Sequence, residues 1–386
     1  MRILIVPDSF KGSLTAVAAS ETMAGAVLAE MPDAEVFRIP LADGGEGTVD
    51  ALVAARGGRT VPIEVTGPLG ERVQTYYGVI GETTAVVEAA NLCGLTMVPP
   101  ERRNPLHTTS RALGEAILAA LDQSSSRIIV GLGGSAVNDG GIGMLSALGA
   151  VFLDGAGHKL SGYGRDLPEL DRIDLSGLDS RLKRCEITVA CDVRNPLVGE
   201  EGATFVYGPQ KGASAEMCRT LDAAMAAYAA KLEACFADMG MGAAAGGAPL
   251  RDAPGAGAAG GLGFALLSLG AKLVPGAQLI EEQTGLRAAA RAADWVLTGE
   301  GRSDGQTLYG KLPLHVARLA REEGTRAVLI SGSLGPGSER LLSEFAGCFS
   351  IVEQPSSLQD CMEQAESLLY RCTRSVARLI AQAAGR

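Results

Sequence analysis

Aromatic residues are scarce, 4% of 386 positions, with a single tryptophan and only three histidines. His107, His158 and His315 are mutually remote and build no histidine-rich metal centre, so each reads as a surface or capping residue rather than a base. Eight cysteines are scattered with no C-x-x-C pair, which removes zinc-ribbon and dithiol redox motifs and leaves them as small apolar residues of a reducing compartment. No run of eighteen apolar residues occurs, and the opening Met1-Arg2-Ile3-Leu4-Ile5-Val6-Pro7-Asp8 breaks its apolar run too early for a signal peptide. Basic residues are outnumbered, 34 against 44 acidic, and the net charge of −10 offers no global field for nucleic acid or anionic lipid. The Walker sequence G-x-x-x-x-G-K-[ST], the H-R-D and D-F-G pair of protein kinases and the G-x-S-x-G elbow are all missing. The expectation is a cytoplasmic protein acting on a small molecule, with no nucleic-acid or membrane partner and with room for a homo-oligomer.

Hydrophobic residues make up 47% of the chain, enough for substantial cores, and the length suggests two to three domains at about 150 residues each. Ile- and Val-rich runs at 3–6, 36–39, 295–298, 327–331 and 349–352 are each followed by a polar, glycine-containing loop. That pattern predicts an α/β fold with one doubly wound parallel sheet. Further strand-like runs at 73–80, 85–88, 128–131 and 187–190, with helical stretches at 111–122 and 217–239, predict a second α/β domain. It is expected as an insertion at residues 66–285, leaving residues 1–65 and 286–386 as one discontinuous domain. The Gly- and Ala-rich segment 240–263 is expected to be an ordered turn rather than a linker, because Leu262-Gly263-Phe264-Ala265-Leu266-Leu267 resumes an apolar helix at once.

Lysine is the scarce cation, seven against twenty-seven arginines, yet three lysines sit beside glycine in loop-like contexts at Lys11, Lys211 and Lys311. An ammonium beside flexible backbone suits a phosphate or carboxylate, since neighbouring N–H groups add donors to the same anion. Asp8, Ser9 and Lys11 follow the first strand; Asp43, Gly44, Gly45 and Glu46 follow the second, where two acids around glycines suit hydrated Mg²⁺ or a substrate hydroxyl. Glu300, Arg302, Asp304 and Lys311 follow the third. In an open parallel sheet such loops share the carboxyl edge, where ligands bind. Within the insertion, Gly131-Leu132-Gly133-Gly134-Ser135-Ala136 matches G-x-G-x-x-A, with Asp154 at the distance of a ribose-binding acid. This supports, as the alternative, an NAD-dependent oxidoreductase acting on a small hydroxy acid. The continuation Asn138-Asp139-Gly140-Gly141 favours a phosphate or carboxylate loop instead. Asp192 and Asn195 follow a further strand, the acid placed to accept a hydroxyl proton and the amide to orient the substrate.

Taken together, Pro7-Asp8-Ser9-Phe10-Lys11-Gly12-Ser13, Leu41-Ala42-Asp43-Gly44-Gly45-Glu46-Gly47-Thr48, Gly133-Gly134-Ser135-Ala136, Asn138-Asp139-Gly140-Gly141, Cys191-Asp192-Val193, Asn195-Pro196-Leu197, Gly208-Pro209-Gln210-Lys211-Gly212-Ala213 and Thr298-Gly299-Glu300-Gly301-Arg302 carry a resemblance. Over essentially its full length the chain is similar to the type I glycerate kinases. The resemblance implies ATP- and Mg²⁺-dependent phosphorylation of D-glycerate, with 2-phosphoglycerate preferred over 3-phosphoglycerate as product. It also implies a flavodoxin-like domain with an inserted α/β domain and a site in the cleft between them. Ser303, Gly305 and Ser110-Arg111-Ala112 depart from the residues common in the family. On this reading Asp192 is the first choice of base and Asp43 the second, with Lys11 as a catalytic cation. Lys11, Lys211, Arg302 and Lys311 are the anion contacts. Asp8, Ser9, Gly44, Gly45, Glu46, Gly133, Gly134, Ser135, Asn138 and Asn195 complete the substrate and nucleotide contacts, and Asp139, Glu300 and Asp304 surround the metal.

Overall fold

The computed structural model of the chain describes residues 1–240 and 248–384. Its strands, in chain order, are β1 (Arg2–Pro7), β2 (Glu35–Arg38), β3 (Arg59–Thr66), β4 (Arg72–Ile80), β5 (Thr84–Glu88), β6 (Arg127–Gly131), β7 (Val151–Asp154) and β8 (Leu170–Asp174). They continue with β9 (Glu186–Ala190), β10 (Lys272–Val274), β11 (Trp295–Gly299), β12 (Arg302–Ser303), β13 (Arg326–Ser331), β14 (Ser333–Leu334) and β15 (Gly347–Ser350). The chain forms two compact units: Met1–Ala42, Asp50–Gly58 and Ala277–Arg386 make the first, Asp43–Val49 and Arg59–Gly276 the second. Among the described residues no helix is long and apolar enough to cross a membrane.

The first unit is built on a parallel five-stranded sheet, in the order β15-β13-β11-β1-β2. Ile3, Leu4, Ile5 and Val6 are 0% exposed, as an uninterrupted apolar run requires when both faces of a central strand are covered. Ile3 and Ile5 join a core with Ala19, Met23 and Val27 of the helix Ala16–Glu30 and with Leu369, Val376 and Ile380 of the helix Ala365–Ala384. Leu4 and Val6 point to the other face by strand alternation. Thr15 starts the first of these helices by accepting a hydrogen bond from the N–H of Ala18 at 3.1 Å. All five strand-like runs read from the sequence for this sheet are strands of it, displaced by three residues or fewer at their ends.

The second unit carries a six-stranded sheet in the order β10-β9-β6-β5-β4-β3. Its first four strands are parallel, and β4 and β3 close the edge antiparallel. Here the expected boundary shifts. β3 pairs with β4 from Arg59↔Val79 to Thr66↔Arg72, so the chain enters this unit at 59 rather than 66 and leaves after 276 rather than 285. The short segment Asp43–Val49 also belongs to it. Helix Arg111–Asp122 buries Ala112, Leu113, Ala116, Ile117, Ala120 and Leu121 on one stripe. Helix Ala215–Asp238 does the same with Leu221, Met225, Tyr228, Leu232 and Phe236. Of the Gly-rich segment, residues 241–247 lie outside the described residues. The remainder turns tightly into the helix Leu262–Ser268, and a Cβ on Gly260 would lie 2.1 Å from the carbonyl oxygen of Val137.

Candidate active site

Register brings the carboxyl ends of three strands level in the second unit: Glu88 of β5 pairs with Gly131 of β6, and Gly131 with Ala190 of β9. The segment Asp43–Val49 lies directly on this edge. The N–H of Gly133 donates to the carbonyl of Gly44 at 2.9 Å, and a Cβ on Gly131 would stand 2.7 Å from that same oxygen. A Cβ on Gly133 would stand 2.6 Å from the Cα of Gly45. Gly44 itself has φ +88°, and a Cβ there would be 2.7 Å from the Cβ of Ala190. These glycines therefore let two backbones touch. Glu88, which the sequence reading named only as a strand end, locks the contact: buried, it accepts from the N–H of Val49 at 2.8 Å and of Gly47 at 3.2 Å. Gly133→Ala is expected to destabilise the chain by roughly 1–3 kcal/mol through overpacking against backbone. A melting temperature equal to that of the parent chain would show that the loop yields freely.

Above this interlock is a pocket of about 350 Å³. Of the residues expected at a site, Asp43, Gly45, Gly133, Gly134, Ser135, Asp192 and Lys211 line it together. Asp192 follows β9 and accepts at Oδ1 from the N–H of Gly276 at 2.9 Å. Partial burial raises its pKa above the usual carboxylate range, the Gly276 N–H opposes that rise, and the negative charge of Asp43 adds to it. Asp43 is exposed and accepts from the N–H of Gly45 at 3.2 Å. Lys211, in a short 3-10 turn, is only 3% exposed; its Nζ donates to the carbonyl of Val137 at 2.6 Å and to Ser135 Oγ at 3.4 Å. Burial brings its pKa down to about 8. Cys191, Tyr207 and Gln210 also line the pocket; the sequence offers Cys191 and Gln210 only as members of their motifs and Tyr207 not at all. Gln210 stood inside the Gly208-to-Ala213 motif, so its neighbour Lys211 was the available signal.

Other assignments change. Asp139 is fully buried, and its carboxylate accepts from the N–H and Oγ of Ser110 at 2.7 Å each, from the N–H of Gly141 at 3.0 Å and from that of Gly143 at 3.3 Å. It ties the loop after β6 to the start of the helix Arg111–Asp122 as a structural anchor. Asn138 is likewise buried, donating to Thr204 Oγ1 at 3.0 Å, with its Oδ1 lacking a partner among the described residues. Asn195 accepts from the Tyr207 hydroxyl and donates to the Glu201 carbonyl, both at 2.7 Å, so it braces a pocket residue rather than lining the pocket. Gly44 is buried in the backbone contact, and Glu46 is exposed beside it. The NAD alternative loses its parts. The glycines after β6 serve packing and no helix begins until Ile142, whereas the fingerprint needs a helix opening at the phosphates. Asp154 closes the local turn after β7 by accepting from the N–H groups of Ala156 and His158.

In the first unit, the loops after β1, β11 and β13 lie together at the carboxyl edge. A Cβ on Gly301 would lie 3.3 Å from the N of Lys11, and a Cβ on Gly332 would lie 2.2 Å from the carbonyl oxygen of Gly301. Asp8 accepts from the N–H of Ser9 at 2.6 Å, and Lys11 is exposed. Glu300 is buried and fully engaged: Oε1 accepts from Ser303 and Thr307 hydroxyls at 2.9 Å each, and Oε2 from Lys311 Nζ at 3.0 Å. Asp304 caps a short helix through the N–H of Gln306 and pairs with Arg302 at 3.4 Å. No group of three or more metal-ligating side chains occurs among the described residues. With Asp139 enclosed by donors, Glu300 holding a lysine, and Asp304 capping a helix and paired with Arg302, the three carboxylates expected around Mg²⁺ do not fit that ion.

The whole chain has known likenesses. Residues 3–381 match the family model described as the glycerate kinase family. A glycerate kinase of Bacillus subtilis is 45% identical, with 98% of each chain aligned. A glycerate 2-kinase of Escherichia coli is 42% identical over 99% of this chain and 98% of its own. A solved structure, a putative glycerate kinase 2 from Salmonella typhimurium, superposes with a TM-score of 0.86 at 42% identity and covers 99% of both chains.

Proposed function

The chain belongs to the glycerate kinase family and is a kinase that uses an alcohol as acceptor, and from that premise we propose that it transfers the γ-phosphoryl group of ATP to D-glycerate, giving 2-phosphoglycerate. The observation that carries the reading is the small pocket in which a carboxylate of raised pKa, a second acid, a buried lysine and a serine hydroxyl meet. The 2-position is supported by the likeness to the Escherichia coli glycerate 2-kinase. The first unit is read as flavodoxin-like, because its five strands run second, first, third, fourth, fifth across the sheet. The free thiols of all eight cysteines suit a reducing cytoplasm.

Phosphoryl transfer asks for an oriented hydroxyl, a base for its proton and cations for the charge on the transferred oxygens. Asp192 is the base: Gly276 fixes Oδ1, and its other oxygen receives the proton as the hydroxyl oxygen bonds to phosphorus and the bond to the bridging oxygen of ADP breaks. Asp43 orders the loop beside it through Gly45. In the first unit, Lys11 and Arg302 are exposed cations at strand ends, suited to nucleotide phosphates, while Lys311 is held by Glu300. Mg²⁺ belongs to this reading with the nucleotide, whose phosphate oxygens would hold it; Asp139, Glu300 and Asp304, committed to partners within the chain, have no part in holding it. Incubation with ATP and D-glycerate tests the reading: glycerate-dependent ADP release, with phosphorus NMR showing the ester at the secondary carbon, is the expected result. No ADP release, or glycerate-dependent reduction of NAD, would overturn it.

A further inference from the structure

We propose that Lys211 and Ser135 form a carboxylate subsite, so that the pocket selects its small hydroxy-acid substrate by that group's negative charge. The inference rests on the glycerate reading and deepens it.

An ammonium removed from water is normally neutralised by a carboxylate, because burial of an unpaired charge is costly. Lys211 is buried, yet both of its hydrogen-bond partners, the Val137 carbonyl and Ser135 Oγ, are neutral. An ammonium has three donors, and no third partner exists among the described residues. The charged groups in its surroundings do not serve. Asp139 has both oxygens committed to Ser110, Gly141 and Gly143, and Cys93, pushed up to about 12 by burial, is a neutral thiol. The lysine is also held in place. Gly212, next in the chain, has φ +92°, and a Cβ there would lie 2.0 Å from the carbonyl oxygen of Arg103, so the turn has little freedom to move.

The rest of the pocket sets the direction in which a ligand enters. Its charged lining residues are Asp43, Asp192 and Lys211. A carboxylate is repelled by the two acids and attracted by the lysine, which leaves the hydroxyl-bearing end for Asp192. The ammonium form is required, and with a free-enzyme pKa of about 8 it is lost as pH rises past that value. A bound carboxylate favours the charged lysine and so opposes that loss.

The test is a cycle of two enzymes and two substrates in the full-length chain: parent and Lys211→Met, each with D-glycerate and with glyceramide, its uncharged amide. The parent is expected to prefer glycerate by roughly 10- to 100-fold in kcat/KM, the range of a charge-assisted hydrogen bond. Lys211→Met should lose about that factor on glycerate and less than about threefold on glyceramide. The preference of the parent should also decline above about pH 8. Thermal melts check folding, and Lys211→Gln repeats the cycle if the methionine variant melts early. Equal losses on both substrates, in an active parent, would overturn the carboxylate subsite and leave the kinase reading standing. A parent that phosphorylates neither compound would overturn both.

Discussion

Asp192→Asn is expected to lower kcat on glycerate by roughly two to four orders of magnitude while the chain remains folded. The amide is nearly isosteric and its oxygen can still accept from the N–H of Gly276, so the strand end keeps its shape. What disappears is the capacity to take a proton. The same carboxylate shapes the pH profile. Its pKa is raised by burial and by Asp43, and the base must be ionised to act, so activity falls as pH decreases through that raised value. The acid limb of kcat/KM should therefore lie above the ordinary carboxylate value of about 4 and be absent from the residual activity of Asp192→Asn. Near-parental turnover in a folded variant would move the base elsewhere, with Asp43 the next candidate.

The second large effect is on stability. Asp139→Ala is expected to cost about 3–5 kcal/mol, because it leaves the Ser110 hydroxyl and the N–H groups of Ser110, Gly141 and Gly143 buried without their acceptor. The denaturant midpoint should fall accordingly, with or without nucleotide and metal. A metal ligand would behave in the opposite way, with an unchanged midpoint and a raised metal requirement. The two outcomes separate cleanly in one pair of titrations.

The contrast between Asp192 and Asp139 shows how far the sequence could be read. Asp192 lies two residues after the parallel strand β9 and Asp139 eight residues after the parallel strand β6, and both sit in polar, loop-like motifs. One lines a pocket and the other is enclosed by four donors, a difference set by which backbone N–H groups the fold turns inward. The glycines were ambiguous for a related reason. Gly131 and Gly133 suit a phosphate loop equally well as residue types, but their bare Cα atoms are used by the 43–49 segment, more than eighty positions away. The first unit's sheet was legible because its strands are continuous apolar runs buried on both faces. Helix Arg111–Asp122 was legible because its apolar stripe repeats with helical spacing. β3 was not: Arg59-Thr60-Val61-Pro62-Ile63-Glu64-Val65-Thr66 is a partly exposed edge strand interrupted by proline, and it reads as a domain's tail until its antiparallel partner is seen.

In the proposed mechanism glycerate is phosphorylated in the pocket beside Asp192. A crystal structure of the full chain with D-glycerate bound tests it most directly. The ligand is expected in the pocket of the second unit, its carboxylate on Lys211 and Ser135 and a hydroxyl within hydrogen-bond reach of Asp192. Glycerate seated instead among Lys11, Glu300 and Lys311, with that pocket holding only water, would contradict it.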